Sequence, residues 1–388
     1  MKWKLEKLSE LCEINVGKTP SRDKQEYFGQ GATWVSIADM NRKVFIESSK
    51  EEVTPAGIKN ANMKIVDSNT VLFSFKLSVG KVCITSKPVY TNEAIAALPI
   101  KDSKRLFTKY LYYAMQAQDF SYLGETAAKG LTLNKAKLKT INIPLPPFII
   151  QQKIATILDE ADALRLKDKA LLAKYDELLK GVFYDIFGDP VKNERGWETR
   201  KIGDLANISS GSTPSRSNDE YYGGDILWVK TTEVNGNRIL NTEEKITELG
   251  LKNSSCKLYP VDSIILAMYG QGKTRGQVGI LGVPATTNQA CAVIQPSRLY
   301  NSNYLLCLLG QLYNELRNES RGGNQQNLNG GIIKDFEIIY PPLELQNNFS
   351  IFYENIVNQK TQIIQQQTYS ESLFQSLMQR AFKGELVQ

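Results

Sequence analysis

Gly17-Lys-Thr-Pro-Ser-Arg-Asp-Lys-Gln-Glu-Tyr-Phe-Gly29 and Gly211-Ser-Thr-Pro-Ser-Arg-Ser-Asn-Asp-Glu-Tyr-Tyr-Gly223 are two versions of one segment, 194 residues apart. The match extends in both directions. Trp3, Lys7, Leu11 and Ile14 recur as Trp197, Lys201, Leu205 and Ile208, and Trp34-Val35 recurs as Trp228-Val229. Fourteen of the 33 positions from 3 to 35 are identical at this offset. Chance gives about two, so the chain carries an internal duplication. The register then drifts by a residue or two. Thr91-Asn-Glu-Ala94 returns as Thr287-Asn-Gln-Ala290, Leu133-Asn134 as Leu328-Asn329, and Pro146-Pro147 as Pro341-Pro342. This period is far longer than the roughly 20–50 residues of a solenoid repeat. Each copy is large enough to bury its own core, and two similar sites related by approximate two-fold symmetry are expected.

At 388 residues the chain has room for two or more domains. No run approaches 18 apolar residues, and Met1-Lys-Trp-Lys-Leu-Glu-Lys7 lacks the apolar core of a signal peptide. Five scattered cysteines without CxxC spacing point to reduced thiols in a cytoplasm rather than to a zinc site. A net charge of +6 permits nucleic-acid binding without announcing it. The absence of histidine decides more. It removes the Ser–His–Asp and Cys–His pairs, the HExxH zinc site and any histidine general base. Catalysis would have to rest on carboxylates, lysine or tyrosine.

Within 1–145, β-branched and aromatic runs at 33–37, 70–75 and 81–85 predict strands between Gly, Asn and Asp turns. Leu106, Tyr110, Leu111, Ala114 and Met115 predict a helix over 105–119. The second copy repeats this with strands at 227–230, 263–268 and 277–281 and a helix over 303–314. Ile143-Pro-Leu-Pro-Pro147 and Ile339-Tyr-Pro-Pro342 then mark breaks. Beyond the first break, positions 150, 154, 157, 161, 164, 168, 171, 175, 178 and 182 step by four and three. All but Asp168 suit a coiled-coil seam. Phe349, Phe352, Ile356, Ile363, Leu373, Leu377 and Ala381 form a comparable stripe, interrupted at Gln359, Gln366 and Ser370. The predicted architecture is α+β: mixed α/β heads over 1–145 and 191–340, followed by long helices over 146–190 and 341–388. The helices would pair as an antiparallel coiled coil. A helix over 151–186 spans about 54 Å, enough to act as a ruler between two heads. Asp159, Glu160, Asp162, Arg165, Lys167 and Asp168 would form its charged outer face.

Two segments imitate catalytic motifs. Ala267-Met-Tyr-Gly-Gln-Gly-Lys-Thr274 nearly matches the phosphate loop GxxxxGK[ST], but its first position is Ala267. The segment also runs on into another predicted strand, where a nucleotide site needs a helix N-terminus. Leu145-Pro-Pro-Phe148 is similar to the [DN]PP[FY] motif of amino-methyltransferases, yet Leu145 has no polar group to hold an amine.

Taken in order and twice over, these motifs resemble the specificity (S) subunit of type I restriction–modification enzymes. The resemblance spans essentially the whole chain. It rests on Gly-x-Thr-Pro-Ser, the Trp-Val strands, Val71-Leu-Phe-Ser74, Val79-Gly-Lys-Val82, Thr91-Asn-Glu-Ala94, Leu133-Asn134, and the Pro-Pro followed by Gln151-Gln152, with their second-copy relatives. It implies that each head is a target-recognition domain for one half of a two-part DNA site. The paired helices would set the gap between half-sites and dock two methyltransferase subunits, with restriction/translocase subunits completing the complex. It also implies no catalysis in this chain; S-adenosylmethionine, ATP and Mg²⁺ would belong to the partners.

Base edges are read by Arg, Lys, Asn or Gln on projecting loops, and phosphates by Lys, Arg, Ser or Thr. In the second head Tyr269, Gln271, Lys273, Thr274 and Arg275 form one candidate loop, and Arg321, Asn324, Gln325 and Gln326 another. Lys76, Ser78 and Lys81, then Lys129 and Thr132, are the first-head equivalents. These loops differ most between the copies, as two readers of different sequences require. Arg22 and Arg216, identical in both, suit a turn or a phosphate contact better than base readout. A scaffold with two protein-binding heads remains a rival, as does an enzyme binding S-adenosylmethionine or ATP alone.

Overall fold

The computed structural model describes residues 3–40, 44–121, 123, 125–127, 130–270, 272–319 and 327–387. The chain forms two compact units, Met1–Lys169 with Gln365–Gln388, and Ala170–Ile364. Both long helices, Phe148–Phe187 and Leu343–Lys383, contribute one part to each unit.

In the first unit a five-stranded sheet runs in the order Asn15–Val16, Ile95–Leu98, Val71–Ser74, Val82–Thr85, Phe45–Ile46. All neighbours are antiparallel except the last pair. A three-stranded sheet places Phe28–Val35 between Glu51–Val53 and Tyr90–Thr91. Its central strand is the predicted Trp-Val strand, extended toward its start. The three central strands of the larger sheet are buried along their whole length, because both faces are covered. On one face Val71, Phe73, Ile84, Ala96 and Leu98 pack against Tyr110, Leu111, Ala114 and Met115 of the helix Thr108–Gln116. Ile154, Leu158 and Ala161 from the first long helix and Phe374, Met378 and Ala381 from the second close the same core. On the other face Leu72, Cys83, Ile95 and Ala97 meet Val35, Met40, Val66 and Val89.

The second unit repeats the plan. Its five strands run Ile208–Ser210, Cys291–Ile294, Ile264–Ala267, Val278–Leu281, Arg238–Ile239, and Tyr222–Val229 centres the smaller sheet. The predicted helix over 303–314 is divided here into Ser302–Gln311 and Tyr313–Glu319. Phe183, Phe187, Tyr304 and Phe349 form an aromatic cluster with ring centroids 4.8 to 6.0 Å apart. Each buried ring contributes about 1.5–3 kcal/mol through transfer from water, so this cluster is the principal anchor of that head to both helices.

Each head is thus held by the start of one long helix and the end of the other. Trp3 donates its indole N–H to the carbonyl of Ala381 at 3.3 Å, and Trp197 donates to Phe187 at 2.8 Å. The Pro-Pro breaks are sealed in the same way in both copies. The buried amide of Gln151 accepts from the Phe107 N–H and donates to the carbonyls of Arg105 and Pro146, each at 2.9 Å. Gln346 accepts from Asn301 at 3.0 Å and donates to Pro341 at 2.8 Å.

The helices run antiparallel inside each unit: Arg165 bridges Glu371 in the first, and Asp176 pairs with Lys360 in the second. Their facing surfaces differ from the predicted stripe. Leu164, Leu171, Leu178 and Leu373 are exposed, while Asp168, Ser370 and Phe374 are buried. Positions 154, 161 and 168 keep the inward side of the first helix, whereas 164, 171 and 178 lie on its outward side. The expected charged outer face is corrected as well. Asp159 is bonded by Lys109 and by the Tyr113 hydroxyl, Asp162 by Arg165, and Asp168 lies in the seam. Glu160 and Lys167 remain exposed.

Candidate nucleic-acid interface

The duplicated Gly-x-Thr-Pro-Ser-Arg segment forms a frame under each head. A Cβ at Gly17 would stand 2.3 Å from the carbonyl oxygens of Thr91 and Asn92, and one at Gly211 2.2 Å from that of Thr287. Only glycine permits this approach. The next residue seals the contact: Lys18 N–H donates to Thr91 O at 2.8 Å, and Ser212 N–H to Thr287 O at 2.9 Å. Trp34 and Trp228 in turn donate their indoles to the carbonyls of Lys18 and Ser212, at 3.1 and 3.0 Å. Thr19 bonds Glu93, and Thr213 bonds Gln289.

Both arginines of this frame have protein partners. The guanidinium of Arg22 stacks on Phe28 and Trp34, 4.4 and 4.9 Å from their ring centroids, and grips Glu51 with two hydrogen bonds of 2.7 and 2.9 Å. Arg216 repeats the arrangement over Tyr222 and Trp228 at the same two distances, bonded to Glu244 at 2.7 Å. Hydrogen bonds from the arginines hold Glu51 and Glu244 below the ordinary carboxylate range, and the carboxylates raise the arginines. Arg22 and Arg216 therefore brace the edge of each smaller sheet.

One candidate reading loop in each head is a hairpin, and the two hairpins occupy the same place in both heads. In the second, residues 268–277 link the antiparallel strands Ile264–Ala267 and Val278–Leu281. The chain turns straight back as a strand, and no helix follows the segment that imitates a phosphate loop. Gly270, Gly272 and Gly276 adopt positive φ of 144°, 61° and 86°, which lets the loop fold tightly. Tyr269 and Lys273 are exposed, and Thr274 and Arg275 half-buried. The helix Tyr313–Glu319 supports the loop from beneath. Tyr313 donates its hydroxyl to the carbonyl of Lys273, and Arg317 donates to that of Arg275, both at 2.8 Å. Gln271, Arg321, Asn324, Gln325 and Gln326 lie outside the described residues.

In the first head the hairpin loop joins Val71–Ser74 to Val82–Thr85 and closes through Ser74. Its hydroxyl donates to the Ser78 carbonyl at 2.6 Å and accepts from the Lys81 N–H at 2.9 Å. Leu77, at φ 64°, and Gly80, at φ 102°, turn the loop. Ser78 is exposed, Lys76 lies 5.4 Å from the Phe75 ring centroid, and the Lys81 ammonium donates to the carbonyl of Ile37 at 3.0 Å. Thr132 is half-buried and pairs with Glu125, while Lys129 lies outside the described residues.

Beside the second hairpin is a cleft of about 530 Å³ whose lining includes Ser210, Lys257, Tyr269, Gln289 and Lys334. Of this group only Tyr269 was legible as a candidate in the sequence. Lys257 and Lys334 fall outside the loops that differ between copies, and only recurrence of the lysines themselves would have revealed them.

Comparisons with known proteins agree with this architecture. A family model described as the type I restriction modification DNA specificity domain matches residues 1–173 and 194–371. The chain is 28% identical over 403 residues to the type I restriction enzyme MjaIX specificity subunit of Methanocaldococcus jannaschii, covering 97% of this chain and 92% of that one. It is 29% identical over 185 residues to the HindI specificity subunit of Haemophilus influenzae, covering 46% of this chain and 40% of that one. In fold it is similar to the S subunit of a type I restriction–modification system from M. genitalium, with a TM-score of 0.61 at 13% identity, covering 98% of this chain and 96% of the other. A chain from a structural study of complex assembly in the type I system aligns with a TM-score of 0.60 at 15% identity, over 99% and 98% of the two chains.

Proposed function

Because the chain belongs to the type I restriction–modification DNA specificity family, we propose that its two heads each bind one half of a two-part site in double-stranded DNA. The observation that carries this is a constant frame bearing two different hairpins. Arg22 and Arg216 stack identically, whereas Lys76-Leu-Ser-Val-Gly-Lys81 and Tyr269-Gly-Gln-Gly-Lys-Thr-Arg275 share little at the same place in the fold. A duplicated reader of two different half-sites needs that combination. Base contacts are assigned to Lys76, Ser78, Lys81, Lys129 and Thr132 in the first head. In the second they fall to Tyr269, Gln271, Lys273, Thr274, Arg275, Arg321, Asn324, Gln325 and Gln326. Arg22 and Arg216, stacked and ion-paired beside each smaller sheet, act as positioning residues, with phosphate contact as their remaining role.

The long helices set the spacing between half-sites and dock two methyltransferase subunits. Exposed apolar side chains on them support docking: Leu164, Leu166 and Tyr369 in the first unit, Leu171, Leu178 and Ile351 in the second. Restriction/translocase subunits complete the assembly, which works in the cytoplasm. The chain itself is not catalytic, and S-adenosylmethionine, ATP and Mg²⁺ act on the partner subunits. Among the described residues no helix is long and apolar enough to cross a membrane.

The test is methylation mapping in cells that express the chain with its methyltransferase subunit, repeated after exchange of residues 1–145 for another head. A two-part motif that changes in one half alone is the expected result. A stable complex that leaves DNA unmethylated would instead identify an adaptor with two protein-binding heads.

A further inference from the structure

The duplication supplies an internal comparison, and its recurring cations include two outside the reading loops that share a cleft in the second head. Thr54-Pro-Ala-Gly-Ile-Lys-Asn-Ala-Asn-Met-Lys64 aligns with Thr247-Glu-Leu-Gly-Leu-Lys-Asn-Ser-Ser-Cys-Lys257 at an offset of 193. The structures agree: Thr54 caps Gly57 and Thr247 caps Gly250, and Val66 and Tyr259 form equivalent bridges to Val89 and Ala285. Lys257 is therefore the counterpart of Lys64. Leu133-Asn134 and Leu328-Asn329 then open equivalent short helices, each capped by its asparagine. This makes Lys334 the counterpart of Lys139 at an offset of 195.

In the second head Lys257 and Lys334 line the same cleft as Tyr269, at the root of the hairpin. No carboxylate lines that cleft. Both lysines are exposed, as are Lys64 and Lys139, and none of the four has an ion pair or side-chain hydrogen bond among the described residues. Arg22 and Arg216, the recurring cations of the shared Thr-Pro-Ser-Arg segment, are by contrast bonded to Glu51 and Glu244. In the first head Glu93 stands where Gln289 lines the second cleft, bonded by Thr19.

From this juxtaposition we infer that Lys257 and Lys334, and their counterparts Lys64 and Lys139, are a paired phosphate clamp. Each pair grips the DNA backbone beside its half-site without reading sequence. The physical reason lies in what the two heads share. Their half-sites differ in bases and have the same sugar–phosphate backbone, so a contact retained in both copies suits phosphate and a divergent one suits bases. The inference rests on the DNA-binding reading above and adds to it a sequence-independent contact at a stated place.

The test uses the full chain in complex with its methyltransferase subunit and fluorescent duplexes. One duplex carries the methylated motif and others carry single substitutions in it. For Lys257→Ala/Lys334→Ala, affinity should fall by the same factor on every duplex. The slope of log affinity against log salt should flatten by about 0.9 per lysine. The mapped motif should stay the same, and Lys257→Arg/Lys334→Arg should restore the slope. Lys64→Ala/Lys139→Ala should do likewise. A slope and affinity equal to wild type would overturn the clamp while leaving DNA recognition standing. A changed base preference in one half-site would also overturn it, by making these lysines readers. A wild-type complex without salt-dependent DNA binding would overturn the underlying reading itself.

Discussion

Ser370 donates its hydroxyl to the buried carboxylate of Asp168 at 2.9 Å. Gln366 donates its amide to the other oxygen at 2.8 Å. The polar interruptions of the two apolar stripes therefore meet each other in the first unit. A carboxylate only 3% exposed depends on such partners, and stripping them costs about 1–3 kcal/mol. Ser370→Ala should destabilise that unit by about 1–2 kcal/mol. Asp168→Ala should cost more, since it frees both donors. Chemical denaturation of the full chain checks the ranking; equal effects would mean that water replaces either partner freely.

The arginine mounts predict an acid dependence. Arg22 lowers Glu51, and Arg216 lowers Glu244. A glutamate lowered in the folded state contributes stability fully above its unfolded value of about 4.3, and that contribution is lost as pH falls through the folded value. Glu51 is 45% exposed, so screening limits the gain to less than about 1 kcal/mol at neutral pH. Glu51→Gln should therefore be slightly less stable than wild type at pH 7, and the difference should vanish in the acid limb below Glu51's ordinary range. A difference that stays constant with pH would assign the effect to packing alone.

Two glycines of the shared segment should respond differently to alanine. At Gly211 the new methyl would collide with the Thr287 carbonyl at 2.2 Å, and a backbone shift is unavoidable. At Gly223, with φ 80°, nothing stands within 4 Å and only the left-handed conformation resists. Gly211→Ala should cost several kcal/mol and Gly223→Ala about 1–2 kcal/mol. Melting temperatures of the two variants, side by side, decide between steric and conformational demands.

Lys273 and Arg275 rise from a loop that Tyr313 and Arg317 hold in place. Lys273→Ala/Arg275→Ala should weaken binding by about 30-fold or more, from about 1–3 kcal/mol for each of two lost base contacts, and relax only the second half of the methylated motif. Arg317→Ala should relax the same half through loss of loop support. Methylation mapping separates this from a general loss; a uniform drop with both half-sites intact would move these residues to the phosphate class.

The fold was legible where it depends on neighbours in sequence. Trp34-Val35 and Trp228-Val229 lie in strands as their β-branched and aromatic surroundings require. The Pro-Pro pairs precede long helices, and the loop after Ala267 returns as a strand. Gly17 and Gly211 were visible as recurrences, but the close approach to Thr91 and Thr287 that demands them was not. The candidate reading loops were proposed from their difference between copies. What stands beneath them, Tyr313 and Arg317, comes from a helix some forty residues further along.

Duplication, the alternation of strands and turns, and the helix breaks are written in local spacing, because backbone geometry responds to the nearest residues. Tertiary structure alone decided which side of each long helix faces inward, burying Asp168 and exposing Leu164, Leu171 and Leu178. It also gave Arg22 to Glu51 and Arg216 to Glu244, and brought Lys257 to the same cleft as Lys334. Those outcomes turn on partners 28 to more than 200 residues away, and a pairing over such distances leaves no periodicity in the chain for a sequence to display.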